Sequence, residues 1–431
     1  MKISNSSLLA HFQSSTGICT DTRKIQAGNM FFALKGPNFN ANAMAEEAIA
    51  KGACCAVIDD AAYDTSSNTL LVQDGLRALQ DLATDYRKTL SIPIIGLTGS
   101  NGKTTTKELI YSVLSQQYTC FATTGNLNNH IGVPLSLLAI KPEHEIAVIE
   151  MGANKQGDIK ELADIAQPTH SLITNIGKAH LEGFGGEQGV IKGKGELFDY
   201  VAANGGLVFL PKDKNIVHQM SEARQITQVV YANEAMPTTL IEAKPYIRFS
   251  CADGTLVESH LPGIYNFENI QMAIAVGKYF GLSDAQCNEG IASYRPTNHR
   301  SQFIKIGSNQ VLMDAYNANP SSMHAAISHF AETENEPKVL ILGDMFELGE
   351  LSEQEHAALG KLIASYPFEK VLLIGSHMQH ALSHLPKAFY FPDKFGLHNW
   401  LQDNPIKSSY LLVKGSRGIQ LESVLPFLAN D

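Results

Sequence analysis

The spacing of apolar residues changes along the chain, and the changes mark out its elements. Short apolar runs in "NMFFALKG" and "CCAVIDD" predict strands near the start. In "GLRALQDLATDYRKTL" the positions Leu76, Leu79, Ala83, Tyr86 and Leu90 recur at helical spacing. Ser91-Ile92-Pro93 then ends that helix, because the residue before a proline avoids the helical region. A first unit mixing strands and helices is expected over residues 1–90.

From residue 91 the order becomes strand, glycine-rich loop, helix: "IPIIGLT", the loop, then a helix using Ile110, Val113 and Leu114. The runs "EIAVIEMG" and "HSLITNIG" alternate with helical stretches, the pattern of a parallel sheet covered by helices. Between Gly206 and Leu261 strand-like segments dominate ("GLVFL", "VVYA", "YIRFS"), which predicts an antiparallel edge or subsheet. A helix follows from about Asn266 to Gly281. From Ser301 onward "KVLILGD", "KVLLIGS" and "SYLLVKGS" alternate with helical "SEQEHAALGKLIASY" and "FGLHNWLQD", a second doubly wound unit. The expected fold class is α/β. It has a small α/β unit over 1–90, a central P-loop-type, mostly parallel sheet over 91–300 and a Rossmann-like unit over 301–431.

Composition narrows the class. A chain of 431 residues exceeds one ordinary core. Hydrophobic content of 44% with 18% charged residues describes a soluble globular protein. A net charge of -10 argues against a broad nucleic-acid surface, so a phosphate ligand must be met by a local site. The six cysteines show neither C-x-x-C spacing nor a disulfide framework, which fits a reducing compartment. The start "MKISNSSLLAHFQSS" is no secretory signal, and no apolar run approaches a membrane span. A cytoplasmic, monomeric protein without membrane insertion is expected.

Candidate chemistry centres on "GLTGSNGKTTTKELI". The usual G-x-x-x-x-G-K-[ST] loop needs a glycine where Leu97 stands, and Gly99 supplies the turn instead. The context is nonetheless right, since the loop leaves an apolar strand and enters a helix. There, backbone N–H groups and a helix N-terminus can face one anion. Lys103 can reach terminal phosphates and the Thr104 hydroxyl can bind Mg²⁺. Glu150, ending the strand "IAVIE", sits where open α/β sheets bind ligands and can hold a metal between phosphates. "ITNIGKAHLEGFG" brings His180 to the same edge.

In "GVIKGKGELFDYV" a helical reading surrounds Lys194 with Val190, Ile191, Leu197 and Phe198, whereas Lys192 faces the polar side. Two readings stay open. Its stem packs while the ammonium reaches water, or a desolvated neutral amine adds CO₂ to become a metal-binding carbamate. Asn266 and Asn269 share one face of a helix's first turn. They either cap that helix or offer amides to an adenine edge. Arg300 falls at the junction of the second and third units, where ligands commonly bind.

Together these segments resemble the Mur ligase family, the ATP-dependent amide ligases of peptidoglycan synthesis. That family's loop form T-G-[ST]-N-G-K-T is matched by Thr98-Gly99-Ser100-Asn101-Gly102-Lys103-Thr104, so the altered glycine spacing is the family's own. "GNLNNHIGVP", "VIEMGA", "ITNIGKAH", "KGELF", "YNFEN" and "HRSQ" follow in the expected order. "DAYNANPSSM", "LGDMFELGE" and "LVKGSRG" resemble the member that joins D-Ala-D-Ala to UDP-MurNAc-tripeptide. Three places depart from the family pattern: Tyr265 replaces a histidine, the run Asp21-Thr22-Arg23 stands where serine is commoner, and "GPNFNANAMA" lacks Asp-Gly-His.

The resemblance implies an α/β ligase with ATP and two Mg²⁺ ions as cofactors, and UDP-MurNAc-tripeptide and D-Ala-D-Ala as substrates. It implies ATP contacts from Thr98 to Thr105, with Lys103 on the β- and γ-phosphates. Thr104 and Glu150 would hold the first metal, and His180 with carbamylated Lys194 would hold or orient the second. Asn266 and Asn269 would face the adenine, Arg300 the polyphosphate, and Asp314 the nucleotide. Asp21, Thr22 and Arg23, Asn126 and Asn129, and Tyr316, Asn317 and Asn319 would bind substrate.

Overall fold

Strands buried on both faces need helical cover, and each of the three large sheets meets that need with helices drawn from its own stretch of chain. The computed structural model describes residues 5–429, apart from 214, 233–236, 252, 297–299 and 335. The first sheet is a parallel set of four short strands, Ile18–Cys19, Met30–Phe32, Cys55–Ile58 and Thr69–Leu71, in that spatial order. Helix Gly75–Thr89 follows, started by the Asp74 carboxylate, which accepts the Arg77 N–H. Its apolar side does not stay within the first unit. Leu79, Leu82 and Ala83 join one core with Val133, Leu137, Ile159 and Leu162 of the middle unit. Buried Arg87 donates from the same helix to the carbonyls of Ala166, Gln167 and Leu90.

The middle sheet has six parallel strands in the order Thr227–Tyr231, Leu207–Pro211, His170–Ile173, Ile94–Thr98, Ile146–Glu150, Cys120–Ala122. Ile94–Thr98 comes first in the chain yet lies inside the sheet. The chain order therefore reverses beside it, and this switch point opens a crevice at the carboxyl ends of the strands. The loop helix Lys103–Leu114 buries Leu109, Ile110, Val113 and Leu114 against helix Phe267–Tyr279 and the sheet.

The segment 206–261 meets the expectation of an antiparallel edge or subsheet only in its second half. Leu207–Pro211 and Thr227–Tyr231 continue the parallel sheet, because helix Ile216–Glu222 between them makes a crossover rather than a hairpin. Thr238–Glu242, Arg248–Cys251 and Leu256–Glu258 pair antiparallel, as a separate small sheet.

The third sheet runs Gln302–Ile306, Asn309–Asp314, Tyr410–Lys414, Lys338–Gly343, Lys370–Ile374, Phe389–Phe391, antiparallel at its first pair and parallel thereafter. Asp314 and Lys414 are partners in register at the carboxyl ends of adjacent strands. No described helix is long and apolar enough to cross a membrane.

Candidate active site

The phosphate-loop residues are shaped by their neighbours before any ligand is considered. Gly99 has φ 150°, and a Cβ there would lie 1.9 Å from Thr174 Oγ1. Only glycine lets the loop pass so close to the next strand. That strand's exit buttresses the loop: Thr174 Oγ1 donates to the Asn101 carbonyl at 2.6 Å, the Asn101 N–H donates to Asn175 Oδ1 at 3.0 Å, and the Gly177 N–H donates to Ser100 Oγ at 2.9 Å. Gly102, with φ 76°, starts the loop helix, and its Cβ would meet Asn269 Oδ1 at 2.8 Å. A rigid glycine cradle at a helix N-terminus suits a polyphosphate.

Above the cradle lies a cavity of about 670 Å³, walled by both the middle and third units. Ser100 to Thr105, Glu150 and His180 line it from one side, and Arg300, Asp314, Tyr316 and Lys414 from the other. Asn126, Asn129, Asn266, Asn269, Asn317 and Asn319 also reach its wall.

Charge in the cavity is arranged closely. Lys103 Nζ donates to the Gly99 carbonyl at 2.8 Å. Burial pushes its pKa down; the Glu150 charge counters this and the Arg300 charge adds to it. Glu150 Oε1 accepts from Thr104 Oγ1 at 3.2 Å and from Asn128 Nδ2 at 2.8 Å. Glu150 Oε2 is buried without a hydrogen-bond partner, its closest cation being the buried Lys107 ammonium at 3.8 Å. A carboxylate oxygen left over beside a hydroxyl is a hard-oxygen donor set, the kind Mg²⁺ takes when phosphates complete its shell. Among the described residues no three His, Cys, Asp or Glu side chains gather as a metal site.

Lys194 lies in helix Glu187–Ala203 and is 1% exposed, as its apolar neighbours require, while Lys192 is exposed. It sits behind the cavity wall rather than in it. Its ammonium lies 5.2 Å from the Phe184 ring centre and donates only a long bond of 3.5 Å to the Ala153 carbonyl. Burial, and next the charge of Lys103, push its pKa well below the ordinary lysine range, against the pull of Asp158 and Glu196. The reading in which the ammonium reaches water is thus excluded by the packing.

Other expected site residues turn out to brace the structure. Thr98 is buried and donates to the Met151 carbonyl at 2.8 Å, away from the cavity. Asn266 occupies the N-cap position of helix Phe267–Tyr279 but makes no capping bond. Its amide donates to the Pro262 carbonyl at 2.8 Å and its oxygen accepts from Asn269 at 2.9 Å. Asn129 Oδ1 accepts the Gly132 N–H at 2.8 Å, opening helix Gly132–Leu138. Asp21 caps the short turn Thr22–Lys24 and pairs with Arg23 at 2.7 Å. None of Asp21, Thr22 and Arg23 lines the cavity.

The third unit is tied to the loop directly. Asn319 caps helix Pro320–Ala331 with its oxygen, while its amide donates to Asn101 Oδ1 at 2.7 Å. Ser321 Oγ accepts the Lys178 N–H at 3.0 Å, Lys178 Nζ donates to Glu355 Oε1 at 2.6 Å, and His180 Nδ1 meets the Glu347 carboxylate. Asp314 pairs with buried Lys414 and accepts the Ser301 N–H. The Arg300 guanidinium stacks 3.6 Å from the Tyr316 ring centre. Asn128, Lys178, Lys414 and Glu355 were not singled out from sequence. Asn128, Lys178 and Lys414 lie inside segments that carried the resemblance, but nothing local separates them from their neighbours.

Residues 97–277 match the Mur ligase middle domain, and residues 299–417 match the Mur ligase glutamate ligase domain. The chain is 34% identical to the UDP-N-acetylmuramoyl-tripeptide–D-alanyl-D-alanine ligase of Bacillus subtilis (strain 168), covering 96% of this chain and 93% of that one. It is likewise 34% identical to the enzyme of that name from Escherichia coli (strain K12), covering 96% and 94%. Among solved structures, MurF from Acinetobacter baumannii superposes with a TM-score of 0.86 at 30% identity, over 100% of this chain and 99% of that one. MurF ligase from Thermotoga maritima, in complex with ADP, gives 0.84 at 25% identity, over 97% and 98%. With both domain models matched in order, and relatives of this identity aligned over almost its whole length, the chain belongs to the Mur ligase family.

Proposed function

We propose that this chain is an ATP-dependent amide ligase of the cytoplasm that joins D-Ala-D-Ala to the terminal carboxylate of UDP-MurNAc-tripeptide. The observation that carries the reading is the convergence of Lys103, Glu150, His180, Arg300 and Asp314, from two units, on one cavity above a phosphate cradle. The names of the relatives aligned over nearly the whole chain support the substrates.

The reaction has two displacements. A carboxylate oxygen of the tripeptide attacks the γ-phosphorus of ATP, the bond to ADP breaks, and an acyl phosphate forms. The dipeptide amine then attacks the acyl carbon, phosphate departs with its bridging oxygen, and the amine loses a proton. Crowded anions oppose the first step. The Lys103 side chain, at the base of the loop, and the Arg300 guanidinium, stacked on Tyr316, would offset that repulsion. Thr104 and Glu150 would hold one Mg²⁺, with His180 and a carbamate on Lys194 holding or orienting a second. Bound there, the metal would neutralise phosphate oxygens.

Lys194 supports this assignment because burial, and next the charge of Lys103, push its pKa well below the ordinary lysine range and so favour the neutral amine. A neutral amine adds CO₂ and gives up one N–H proton, and the resulting carbamate would turn a repelled cation into an anion beside Lys103. Asn266, Asn269 and Asp314 are proposed on the nucleotide, and Asn126, Asn129, Tyr316, Asn317 and Asn319 near the phosphates and peptide substrates. Asp21, Thr22 and Arg23, on the first unit, are proposed for the uridine end of the long substrate. Bonds from Asn319, Ser321 and Glu355 to the middle unit would keep water from the acyl phosphate.

The test is to incubate the protein with ATP, Mg²⁺, D-Ala-D-Ala and UDP-MurNAc-tripeptides ending in lysine or diaminopimelate, and to weigh the products. The expected product carries the dipeptide less one water, and ADP appears only when both substrates are present. Rapid ADP release with neither substrate would instead indicate an ATP-driven switch.

A further inference from the structure

A helix cap of the third unit and the phosphate loop of the middle unit meet through two side-chain amides. Helix Pro320–Ala331 opens on Asn319, whose Oδ1 accepts the Ser322 N–H at 2.9 Å while its own N–H donates to Ser322 Oγ at 3.1 Å. These two bonds form a capping box and satisfy a helix-end N–H that would otherwise go unpaired. They also settle which way the Asn319 amide faces. With its oxygen committed to the cap, the amide nitrogen points away from the helix and donates to Asn101 Oδ1 at 2.7 Å. Asn319 is buried, so water is a poor substitute for either bond.

Asn101 has little freedom left. Its carbonyl accepts from Thr174 Oγ1 at 2.6 Å and from Asn175 Nδ2 at 3.1 Å, and its N–H donates to Asn175 Oδ1 at 3.0 Å. The backbone is thus pinned on both sides, and Asn319 pins the side chain. A donor arriving from Asn319 demands the carbonyl end of the Asn101 amide, so the NH₂ end turns the other way. It lies on the Gly177 side, where a Cβ on Gly177 would stand 3.4 Å from Asn101 Nδ2. Asn101 and Gly177 both line the cavity.

We propose that Asn319 is a positioning residue for the phosphate loop. It holds the Asn101 amide so that the NH₂ group, rather than the carbonyl, is offered to a phosphate oxygen seated in the cradle. The opposite orientation would aim a carbonyl oxygen at that anion. Whether the loop's side chain attracts or repels phosphate is therefore decided by a helix cap 218 residues further along the chain. The inference rests on the reading of the loop as a nucleotide cradle, and on no step of the ligase chemistry.

The test is calorimetric titration of the full chain with ADP, with melting measured beside it. Asn319→Ser keeps an N-cap about as good as asparagine but has no amide to reach Asn101. It should melt above Asn319→Ala, which loses the cap as well, yet bind ADP about two- to tenfold more weakly than wild type, the worth of one hydrogen bond. Asn319→Asp also keeps the cap, but its second carboxylate oxygen would face Asn101 Oδ1. Asn101 must then turn its NH₂ toward the aspartate and its carbonyl toward the cavity, so ADP should bind more weakly still. In an Asn101→Ala background there is no amide to orient. There Asn319→Ser should cost nothing further, and the cost of Asn319→Asp should shrink to that of its charge. Equal ADP affinity in wild type and Asn319→Ser, no ADP binding by wild type, or additive losses with Asn101→Ala would overturn the inference. A wild-type protein that binds ADP but forms no product would defeat the ligase reading alone, and the titrations would still decide the role of Asn319.

Discussion

Gly99→Ala concentrates the demands of the phosphate cradle into one methyl group. The residue has φ 150°, where side chains are strained, and the added Cβ would stand 1.9 Å from Thr174 Oγ1 and 3.0 Å from the Thr174 backbone nitrogen. Thr174 cannot turn aside freely, because its hydroxyl donates to the Asn101 carbonyl and its N–H to the Thr98 carbonyl at 2.9 Å. The backbone strain costs about 1–3 kcal/mol, and forcing loop and strand apart adds about 1–3 kcal/mol. At about 2–4 °C per kcal/mol for a unit of this size, melting should fall by about 5–20 °C. The same displacement moves the loop N–H groups, so ADP affinity should weaken on the order of tenfold or more. Calorimetric melting and ADP titration measure both. Gly205→Ala is the control, since Gly205 has φ 68° with nothing within 4 Å of its Cβ, which isolates strain from collision. If the two variants melt together and bind ADP equally, the close packing of loop on strand is not what the cradle depends on.

The remaining predictions concern charge. Lys194→Ala should lose activity by at least about tenfold, and a short-chain carboxylic acid should restore part of it; undiminished turnover would remove the carbamate. Glu150→Gln keeps the side chain's shape but removes its charge, so the Mg²⁺ needed for half-maximal ADP formation should rise by about tenfold or more. An unshifted Mg²⁺ titration would place the metal elsewhere. His170, packed among Phe209, Tyr279 and Phe280, has its pKa lowered by burial from 6.5 to about 4. The fold favours its neutral form. Its contribution to stability is therefore complete above about pH 6.5 and is lost as pH falls toward 4. His170→Phe should flatten that part of the melting-versus-pH curve, and an identical curve would show that another group causes the acid limb.

What could be read in advance was whatever local spacing encodes. The order strand, glycine loop, helix announced the cradle, and apolar neighbours three and four residues either side put Lys194 on the apolar face while leaving open whether its ammonium reached water. Strand-end position alone was enough to bring Glu150 and His180 to one edge. Local spacing fails where partners are distant in sequence. Lys178 with Glu355, His180 with Glu347 and Asp314 with Lys414 are joined by the docking of separate strands and helices. Asn126, Asn128 and Asn129 are chemically alike in "GNLNNH", and only the folded loop sends Asn128 to Glu150. The partly misread stretch at 206–261 has a similar origin. Helix Ile216–Glu222 is short, and an apolar strand reads the same whether its neighbour is parallel or antiparallel.

The claim under all of this is that the peptide acid is activated by phosphoryl transfer within the cavity. UDP-MurNAc-tripeptide with ¹⁸O in its terminal carboxylate, turned over with unlabelled ATP and D-Ala-D-Ala, tests it directly. The account predicts one ¹⁸O delivered into inorganic phosphate for each amide bond made; amide product with phosphate free of ¹⁸O would contradict it.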